Sequence, residues 1–312
     1  MTASLLDRSL VYVTGKGGVG KTTVAAAIGM ASAARGRRTI VCEVAHQDRV
    51  SRAFARHGVR EETEIQLEQD LWAITIDPEA ALREWLSGQL GGPTVRLLAH
   101  SHAFQYFVAA APGAKELVTI GKVWELAQTA RWDRHNPRTY DTVVVDAPAS
   151  GHGLAMLTTP RTFGEIARVG PIRRQAFKIR DMLADPARTG YVAVALPEEM
   201  PVNETLELED HLHGAVGTGL DAIVVNAVYP ERFSKADAER LRAAAENGHR
   251  PDAAGALSAA LTEYERARAQ RTHLRRLRRE AQTPVLTLPF LFEPHVGLEE
   301  WRRLSRELER KL

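Results

Sequence analysis

The chain has 312 residues, of which 44% are hydrophobic and 26% are charged, a composition typical of folded globular proteins and not of disordered chains. Its 41 basic and 39 acidic residues leave a formal charge of only +2, which excludes the pronounced basic excess of a dedicated nucleic-acid-binding protein. The single cysteine, Cys42, excludes an intramolecular disulfide and any C-x-x-C metal site within the chain.

The sequence also lacks the features of membrane or secreted proteins. It contains no run of about 18 apolar residues that would predict a transmembrane helix. The first residues, MTASLLDRSL, lack the apolar core of a secretion signal. We therefore expect a cytoplasmic protein with no stable membrane insertion.

Short apolar runs alternate with helical stretches, which predicts an α/β fold with a mostly parallel central sheet flanked by helices. The apolar runs are rich in valine and isoleucine and show no polar alternation, as expected of strands buried on both faces. Helices are expected between them, for example at Thr22–Arg35 and Ala236–Asn247, and at the end of the chain, Gly297–Leu312. The predicted strands lie at about 9–14, 38–44, 71–76, 141–146, 190–196, 221–228 and 284–288.

Two intervals are longer than a simple crossover between parallel strands needs. The first, about 78–138, predicts two or three helices, and the second, about 152–190, is also predicted to be helical. No internal repeat or low-complexity linker divides the sequence. We expect a single domain over residues 1–312, in which these two segments form a helical insert beside the sheet.

A glycine-rich stretch follows the first predicted strand and opens the first helix. Its letters GKGGVGKT, Gly15 to Thr22, fit the phosphate-loop pattern G-x-x-x-x-G-K-[ST]. Gly15, Gly17 and Gly20 also fit G-x-G-x-x-G, the pattern of dinucleotide-binding folds, and Glu43 would serve there as the acid that binds the ribose. Both interpretations place phosphates against backbone N–H groups at a helix N-terminus.

Two features favour a nucleoside triphosphate over a dinucleotide. Lys21 and Thr22 follow the glycines directly, and in a triphosphate site they reach the β- and γ-phosphates and Mg²⁺. That site also needs an aspartate at the end of another buried strand, and TVVVD supplies Asp146. We therefore predict a magnesium–triphosphate site. The loop residues expected to line it are Gly15, Gly17, Gly18, Val19, Gly20 and Lys21.

The motif GKGGVGKTT, Gly15 to Thr23, resembles the deviant phosphate loop of a group of dimeric ATPases. This group includes the ParA and MinD partition proteins, the nitrogenase iron protein, the arsenite-pump ATPase ArsA and its relatives that target tail-anchored proteins. In these proteins the extra early lysine, here Lys16, reaches the nucleotide of the other subunit, where a cation stabilises the transition state as an arginine finger does. The resemblance implies ATP and Mg²⁺ as ligands, and a homodimer or a heterodimer with a paralogue.

A second motif narrows the resemblance to the ArsA-type members. The stretch DAPASGH is similar to their switch motif D-[TA]-A-P-T-G-H, whereas ParA and MinD lack the Gly-His. Cys42 alone cannot supply the cluster of an iron protein. FVAAAPGAKELVTIGKVWEL and LPFLFEPHVGLE match further family segments, so the resemblance covers nearly the whole chain and is strongest to single-domain ArsA-like ATPases of actinobacteria. The switch residues that it implies are Asp146, Pro148, Gly151 and His152.

The resemblance also implies roles for residues around the nucleotide. Thr22 and Asp146 are expected to hold Mg²⁺, and Thr23 to bond the α-phosphate. Asn226 resembles the family asparagine whose amide binds adenine, and Pro289, Phe290 and Leu291 follow the last strand, where the family wraps a loop around the base. Each has a structural alternative: a helix-start threonine, a buried asparagine at a strand end, and ordinary core packing.

One departure from the family pattern affects the catalytic prediction. The family has Asp-Pro-Ala-His where this chain has EVAH, Glu43 to His46, and the family aspartate orients or activates the attacking water. Glutamate is one methylene longer, and a displacement of about 1 Å lowers a rate roughly a hundredfold. We predict Lys16, Lys21 and Glu43 as catalytic residues. The alternatives are a switching role for Glu43, or a catalytically weak regulatory subunit that pairs with an active paralogue.

The second helical segment raises the question of a partner. In the targeting relatives the region equivalent to 152–190 forms a hydrophobic groove for a client helix, and here it mixes apolar residues with arginines. Packing of its apolar side on neighbouring helices is the alternative. The C-x-x-C of the targeting relatives and the metalloid-binding cysteines of ArsA are absent from this sequence, so an arsenite role is not supported.

The C-terminal part carries two charged helical stretches. The basic run Arg266–Arg279 is interpreted as the solvated face of a crossover helix and not as a nucleic-acid site. The last helix aligns on one side Leu298, Trp301, Leu304, Leu308 and Leu312. We expect that side to dock on the sheet, because four acidic residues of the helix disfavour an anionic membrane. A MinD-like, surface-associated ATPase is the alternative.

Together these features predict a Mg²⁺-dependent ATPase of ArsA type that acts as a dimeric switch. ATP closes the dimer, and the segment Asp146–His152 moves the helical insert, which binds a client or partner.

Overall fold

The computed structural model describes residues 4–44, 49–54, 63–90, 113–129, 138–167, 169–246, 251–293 and 296–312. The strands within these residues are β1 Leu10–Gly15, β2 Thr39–Glu43, β3 Ile65–Glu68, β4 Leu71–Thr75, β5 Thr142–Asp146, β6 Thr189–Ala195, β7 Ala222–Val228 and β8 Val285–Pro289. They form one 8-stranded sheet in the order β3-β4-β2-β5-β1-β6-β7-β8. All neighbouring pairs are parallel except β3 and β4.

The seven predicted strands are all present, each within one residue of its expected bounds. The prediction of a mostly parallel sheet flanked by helices is confirmed. The short strand β3 was not predicted, because its four residues, IQLE, include two polar side chains. This strand pairs with β4 in the antiparallel direction at the edge of the sheet, with a register irregularity between Gln66 and Glu68. An edge strand buries less side-chain surface, so its sequence signal is weak.

Helices cover both faces of the sheet and account for most of the remaining described chain. A short 3₁₀ helix, Leu5–Asp7, precedes β1. The α-helices in the described residues are α1 Lys21–Ala34, α2 Arg49–Ala53, α3 Pro78–Leu90, α4 Ala114–Leu126, α5 Ser150–Ile166, α6 Pro171–Ala184, α7 Glu199–Val216, α8 Lys235–Glu246, α9 Pro251–Glu280 and α10 Leu298–Glu309.

The two faces of the sheet bury separate hydrophobic clusters, as the alternation of side chains along a strand requires. In β1, Leu10 and Tyr12 join the cluster beneath the helices α4 to α7 and α9. Val11 and Val13 join the opposite cluster, beneath α1 and α10. Every residue of β1, β2, β5 and β6 is buried, which explains why their sequences carry no polar alternation.

The last helix docks on the body of the protein, but not mainly on the sheet as we expected. Its apolar side, with Trp301, Leu304 and Leu308 buried, packs chiefly against α1. The helix also touches both edge strands of the sheet, β8 by packing and β3 through the ion pair of Arg302 with Glu68. The physical reason is that α1 covers this face of the sheet, so the last helix packs beside α1.

The helices of the two long intervals lie together on the other face. α3 and α4 come from the first interval and α5 and α6 from the second, and these helices pack on one another. The remainder of the first interval, 91–112 and 130–137, lies outside the described residues, as do Ala45 and His46 of the EVAH segment and the proline of the expected P-G-x-x-E segment, Pro112.

Strand register places the carboxyl ends of three central strands side by side. β5 lies between β2 and β1, and its last residue, Asp146, is opposite Glu43 on one side and Val13 on the other. The glycine-rich loop leaves the same end of β1. In open α/β sheets the crevice at the carboxyl ends of the strands is the usual ligand site.

Candidate functional site

The glycine-rich loop turns tightly from β1 into α1. Gly15 has φ +142° and lies so close to β6 that a Cβ atom there would be 2.3 Å from the carbonyl oxygen of Val194. Gly20, at the N-cap of α1, has φ +93°, in the left-handed region that favours glycine. Gly17, Gly18 and Val19 form the turn between them. The loop therefore ends at a helix N-terminus, where free N–H groups favour anions.

Lys21 is the first residue of α1, and its side chain folds back over the loop. Its Nζ donates a hydrogen bond to the carbonyl oxygen of Lys16 at 2.9 Å. Burial lowers the pKa of Lys21, the nearby Asp146 carboxylate opposes this change, and Arg49 adds to it. A half-buried ammonium held across a loop of N–H groups is suited to binding a polyanion, which would favour its charged form.

Thr22 and Asp146 meet, although 124 residues separate them in the sequence. The Thr22 hydroxyl donates to Asp146 Oδ2 at 2.6 Å, and Asp146 is only 7% exposed. Burial raises the pKa of Asp146, whereas the Thr22 hydrogen bond and the charges of Lys21 and Arg49 lower it. Thr23 follows on the first turn of α1 and is half-buried.

Glu43 lies next to Asp146 but is fully enclosed, with 0% of its surface exposed. Its Oε1 accepts a hydrogen bond from the backbone N–H of Val50 at 3.2 Å. Val50 belongs to the short helix α2, so the Glu43 carboxylate anchors the segment that follows β2. Glu43 therefore lies at the carboxyl end of the central strands, as expected of a residue at the site, and its hydrogen bond to Val50 also gives it a structural role.

Lys16 points away from the loop towards α7. Its Nζ is 2.5 Å from Glu204 Oε1, and both side chains are about a third exposed, 35% and 31%. The extra lysine of the loop therefore has an acidic partner within its own chain.

The segment after Asp146 leads directly into α5. Pro148 is half-buried, whereas Gly151 and His152 are exposed on the first turn of the helix. The next residue, Gly153, packs on β1, and the Tyr12 hydroxyl donates to its carbonyl oxygen at 2.9 Å. This predicted switch segment thus connects the end of β5 to a helix that is fixed against the strand before the glycine loop.

Asn226 lies beside the same loop, near the end of β7. Its Nδ2 donates to the carbonyl oxygen of Val19 at 3.1 Å, and its Oδ1 accepts from the N–H of Ala227 at 2.9 Å. An amide has two donor hydrogens and two acceptor lone pairs, so one of each is left for another partner.

The segment Pro289, Phe290 and Leu291 begins at the last residue of β8, at the carboxyl end of that strand. The N–H of Phe290 donates to the carbonyl oxygen of Val228 at 2.9 Å, and its ring stacks on Tyr229 with centroids 4.4 Å apart. Phe292 packs edge-on against both rings. Pro289 pairs with Val228 in the β7–β8 register, and Leu291 is half-buried.

Comparison with known families agrees with this geometry. The family model described as anion-transporting ATPase, the ArsA type, matches residues 8–176 and 168–250, which include the glycine loop and the switch segment. The chain belongs to the ArsA-type ATPase family. Its sheet and loop are those of a P-loop nucleotide-binding fold.

Relatives of the ArsA type come from bacteria, yeasts and archaea. The chain is 30% identical over 233 residues to ATPase BagA of Mycobacterium tuberculosis, a match that covers 73% of this chain and 67% of that protein. It is 25% identical over 261 residues to ATPase GET3 of Kluyveromyces lactis, covering 73% and 74%. It is 24% identical over 309 residues to a putative arsenical pump-driving ATPase of Halobacterium salinarum, covering 96% and 44%.

Two charged residues at this ArsA-type site were not singled out from the sequence. Arg49 is exposed at the start of α2, and its charge acts on both Lys21 and Asp146. Arg49 could have been found from the sequence, because it lies six residues after Glu43, in the stretch that follows the site motif EVAH. Glu204 lies 188 residues beyond Lys16, and no sequence pattern links the two.

The helices beside the ArsA-type site expose apolar surface. Ile166 and Val169 are 71% and 84% exposed, and with Ile172 they form what we term the apolar apex, between α5 and α6. Ile172 also lines a cavity of about 90 Å³ between α3, α4, α5 and α6. The other apolar side chains that line it include Leu82, Trp85, Leu117, Phe163 and Ile179. Among the described residues, no helix is long and apolar enough to cross a membrane.

Proposed function

We propose that this chain binds MgATP at the loop between β1 and α1 and hydrolyses it to ADP and phosphate. The observation that carries the proposal is the 2.6 Å hydrogen bond from Thr22 to Asp146, which joins the phosphate-loop motif to the aspartate that a triphosphate site needs. Membership of the ArsA-type family supports it.

The phosphates bind to the backbone N–H groups from Gly17 to Lys21, at the positive end of α1. Lys21 Nζ leaves the Lys16 carbonyl oxygen, which it contacts at 2.9 Å, for the β- and γ-phosphates. Thr23, one position further along the helix, bonds the α-phosphate. Charge on the phosphates is thereby matched before the reaction begins, which is how phosphoryl transfer is catalysed in P-loop proteins.

The residues present fit a magnesium ion that completes its coordination with the nucleotide. Within the described part of the chain, no group of three or more histidine, cysteine, aspartate or glutamate side chains could hold a metal. Mg²⁺ at phosphate sites needs only one or two protein oxygens, and the Thr22 hydroxyl and Asp146 carboxylate provide them. When bound, Mg²⁺ neutralises charge on the β- and γ-phosphates.

Glu43 is the residue that we place nearest the attacking water. It is the neighbour of Asp146 in the β2–β5 register, and its carboxylate already fixes α2 through Val50. The start of α2 carries Arg49, whose charge reaches Lys21 and Asp146. Glu43 thus holds a cation beside the phosphates as well as lying close to the reacting groups.

Asn226 and the segment from Pro289 to Leu291 bind the base. The Asn226 amide is oriented by Val19 and Ala227 and retains one donor and one acceptor, the pair that adenine recognition requires. Because the same amide bonds the phosphate loop, the base and phosphate sites are mechanically joined.

The active assembly that we propose is a dimer, with a second copy or a paralogue, in which Lys16 reaches the nucleotide of the other subunit. The chain itself forms one ATPase domain over residues 1–312, with helical segments at about 78–138 and 152–190. Hydrolysis changes the contacts of Asp146, and the segment to His152 passes this change to α5. Order imposed by a γ-phosphate and lost on hydrolysis is an established switch principle.

Substitution of Lys21 tests the proposal. Lys21→Ala removes a cation from the developing charge and is expected to lower the single-turnover rate of ATP hydrolysis by about a hundredfold or more. The control is Lys235→Ala, which removes an exposed lysine of α8 and should leave the rate unchanged. Phosphate release is measured with purified chain, with and without EDTA. Hydrolysis by Lys21→Ala at the wild-type rate contradicts the proposal.

The enclosure of Glu43 favours a second candidate, an ATP-binding subunit with little turnover of its own. The same assay separates the two, provided that ATP binding is measured alongside it. Tight MgATP binding without phosphate release, restored by a co-purified paralogue, supports the weak subunit. Turnover by the chain alone excludes it.

A client-binding role for the helical segments is favoured by the apolar apex and the adjoining cavity. Exposed apolar residues that continue into an apolar cavity are characteristic of a surface for an amphipathic or apolar helix. We propose that the ATP-driven switch changes access to this surface.

A further inference from the structure

Lys16 is held from two directions in this structure. Its carbonyl oxygen accepts from Lys21 Nζ at 2.9 Å, and its ammonium is 2.5 Å from Glu204 Oε1. Both contacts lie within one chain. The ammonium has three N–H donors, so this contact does not use up its bonding capacity, but it fixes the direction in which the side chain extends. The position of Lys16 therefore depends on whether this ion pair is formed.

The fold holds Glu204 firmly at this position. α7 follows β6, and β6 pairs with β1 so closely that Gly15 is opposite Val194. The buried face of α7, with Val202, Thr205 and Leu208, packs towards the sheet. The preceding residue, Asn203, accepts a hydrogen bond from Arg276 of α9 at 2.7 Å. The carboxylate therefore stands on a fixed helix, whereas Lys16 stands on a loop.

We propose that Glu204 is a positioning residue that keeps Lys16 on its own subunit until MgATP and a second subunit are in place. This inference rests on the proposed function, in which Lys16 acts across a dimer. An ion pair that is one third exposed shifts an equilibrium by no more than about fivefold. The phosphates of a nucleotide therefore displace Glu204, and the pair delays closure without preventing it.

The first test measures how fast the Lys16 amine reacts when no nucleotide is present, as a report on how often the ion pair with Glu204 is broken. Glu204→Gln keeps the shape of the side chain and removes its charge, so an amine-acetylating reagent should modify Lys16 about threefold faster. The folded full-length chain is labelled, then digested, and acetylation of Lys16 is measured by mass spectrometry of the peptides. Glu207→Gln, an exposed residue of the same helix, removes the same charge and is the control. Equal labelling of Lys16 in all three proteins overturns the inference.

The second test measures dimer formation against MgATP concentration by light scattering. Glu204→Gln is expected to lower the ATP concentration at half-dimerisation by about threefold, and Glu207→Gln to leave it unchanged. A dimer with the same midpoint in all three proteins overturns the role of Glu204 and leaves the proposed function intact. A chain that binds ATP but stays monomeric in every variant overturns the dimer itself, and this inference with it.

Discussion

Single residues of the glycine loop are constrained by neighbours as well as by phosphate. Gly15 and Gly20 both have positive φ, and in both cases a Cβ atom would lie 2.3 Å from another group. At Gly15 that group is backbone of β6, whereas at Gly20 it is the Asn226 amide. The loop pattern predicted the glycines, but the side chain that a larger residue at Gly20 would displace belongs to Asn226, 206 positions further along the chain.

Replacement of Gly20 should weaken nucleotide binding more than it weakens the fold. In Gly20→Ala the new methyl group displaces the Asn226 amide from Val19, and we expect about a tenfold loss of ATP affinity, equivalent to about 1.4 kcal/mol. Gly36→Ala is the matched control, because Gly36 has φ +76° but its Cβ would meet nothing within 4 Å. In both variants the alanine adopts a left-handed conformation, which is expected to cost about 1 kcal/mol of unfolding free energy, and thermal unfolding measures this cost. Equal ATP affinity, measured by calorimetry, would contradict this role for Gly20.

Between elements, the most informative contact joins β1 to α5. The Tyr12 hydroxyl is buried, its pKa is raised by burial, and it donates to the Gly153 carbonyl oxygen at 2.9 Å. Gly153 allows this approach because a Cβ atom there would be 3.1 Å from Thr14 Oγ1. Since α5 begins at Ser150, four residues after Asp146, this bond anchors the switch segment to the strand that leads into the glycine loop.

Removal of the Tyr12 hydroxyl should affect both stability and turnover. Tyr12→Phe is expected to cost about 1–2 kcal/mol of unfolding free energy, and to slow ATP hydrolysis several-fold because α5 loses its anchor. Tyr191→Phe is a close control, since the Tyr191 hydroxyl makes a similar buried bond, 2.8 Å to the Leu183 carbonyl oxygen, at the far end of α6. Chemical denaturation and phosphate release are the measurements. If both variants slow hydrolysis equally, the anchor has no special role in switching.

At the scale of the whole molecule, helix α5 connects the proposed nucleotide site to the apolar apex. The connection runs from Asp146 through α5 to Ile166, at the end of the same helix. The apex continues through Ile172 into the cavity between α3 and α6. Two surfaces joined by one helix are suited to coupling ATP state to a partner, which is the physical content of the proposed switch.

The apex can be tested without knowing its natural partner. The probe is a fluorescent 20-residue leucine–alanine helix, and the variant is Ile166→Ser with Val169→Ser. We expect at least a fivefold loss of affinity, because two largely exposed apolar side chains no longer become buried. Unfolding free energy should change by less than about 0.5 kcal/mol per site. Met200→Ser is the control, since Met200 is 59% exposed but lies on α7. An unchanged affinity for the probe removes the apex from the proposed client surface.

Much of this protein was determined by its sequence alone. Strands buried on both faces carry uninterrupted apolar runs, so β1, β2 and β4 to β8 were located within a residue. The motifs at Gly15–Thr23 and Asp146–His152 indicated the family, which is confirmed, and a chemistry that stays a prediction. Local patterns suffice there because each motif is contiguous.

Only the tertiary structure decided what distant residues do to one another. In the structure Glu43 lies beside Asp146 and contacts Val50, and Asn226 donates a hydrogen bond to the glycine loop. The last helix packs chiefly on α1, and not on the sheet as the sequence had suggested. It also paired Lys16 with Glu204, a partner that no spacing in the sequence reveals. Such contacts depend on strand order and helix packing, and these follow from the folding of the whole chain and not from any one segment of it.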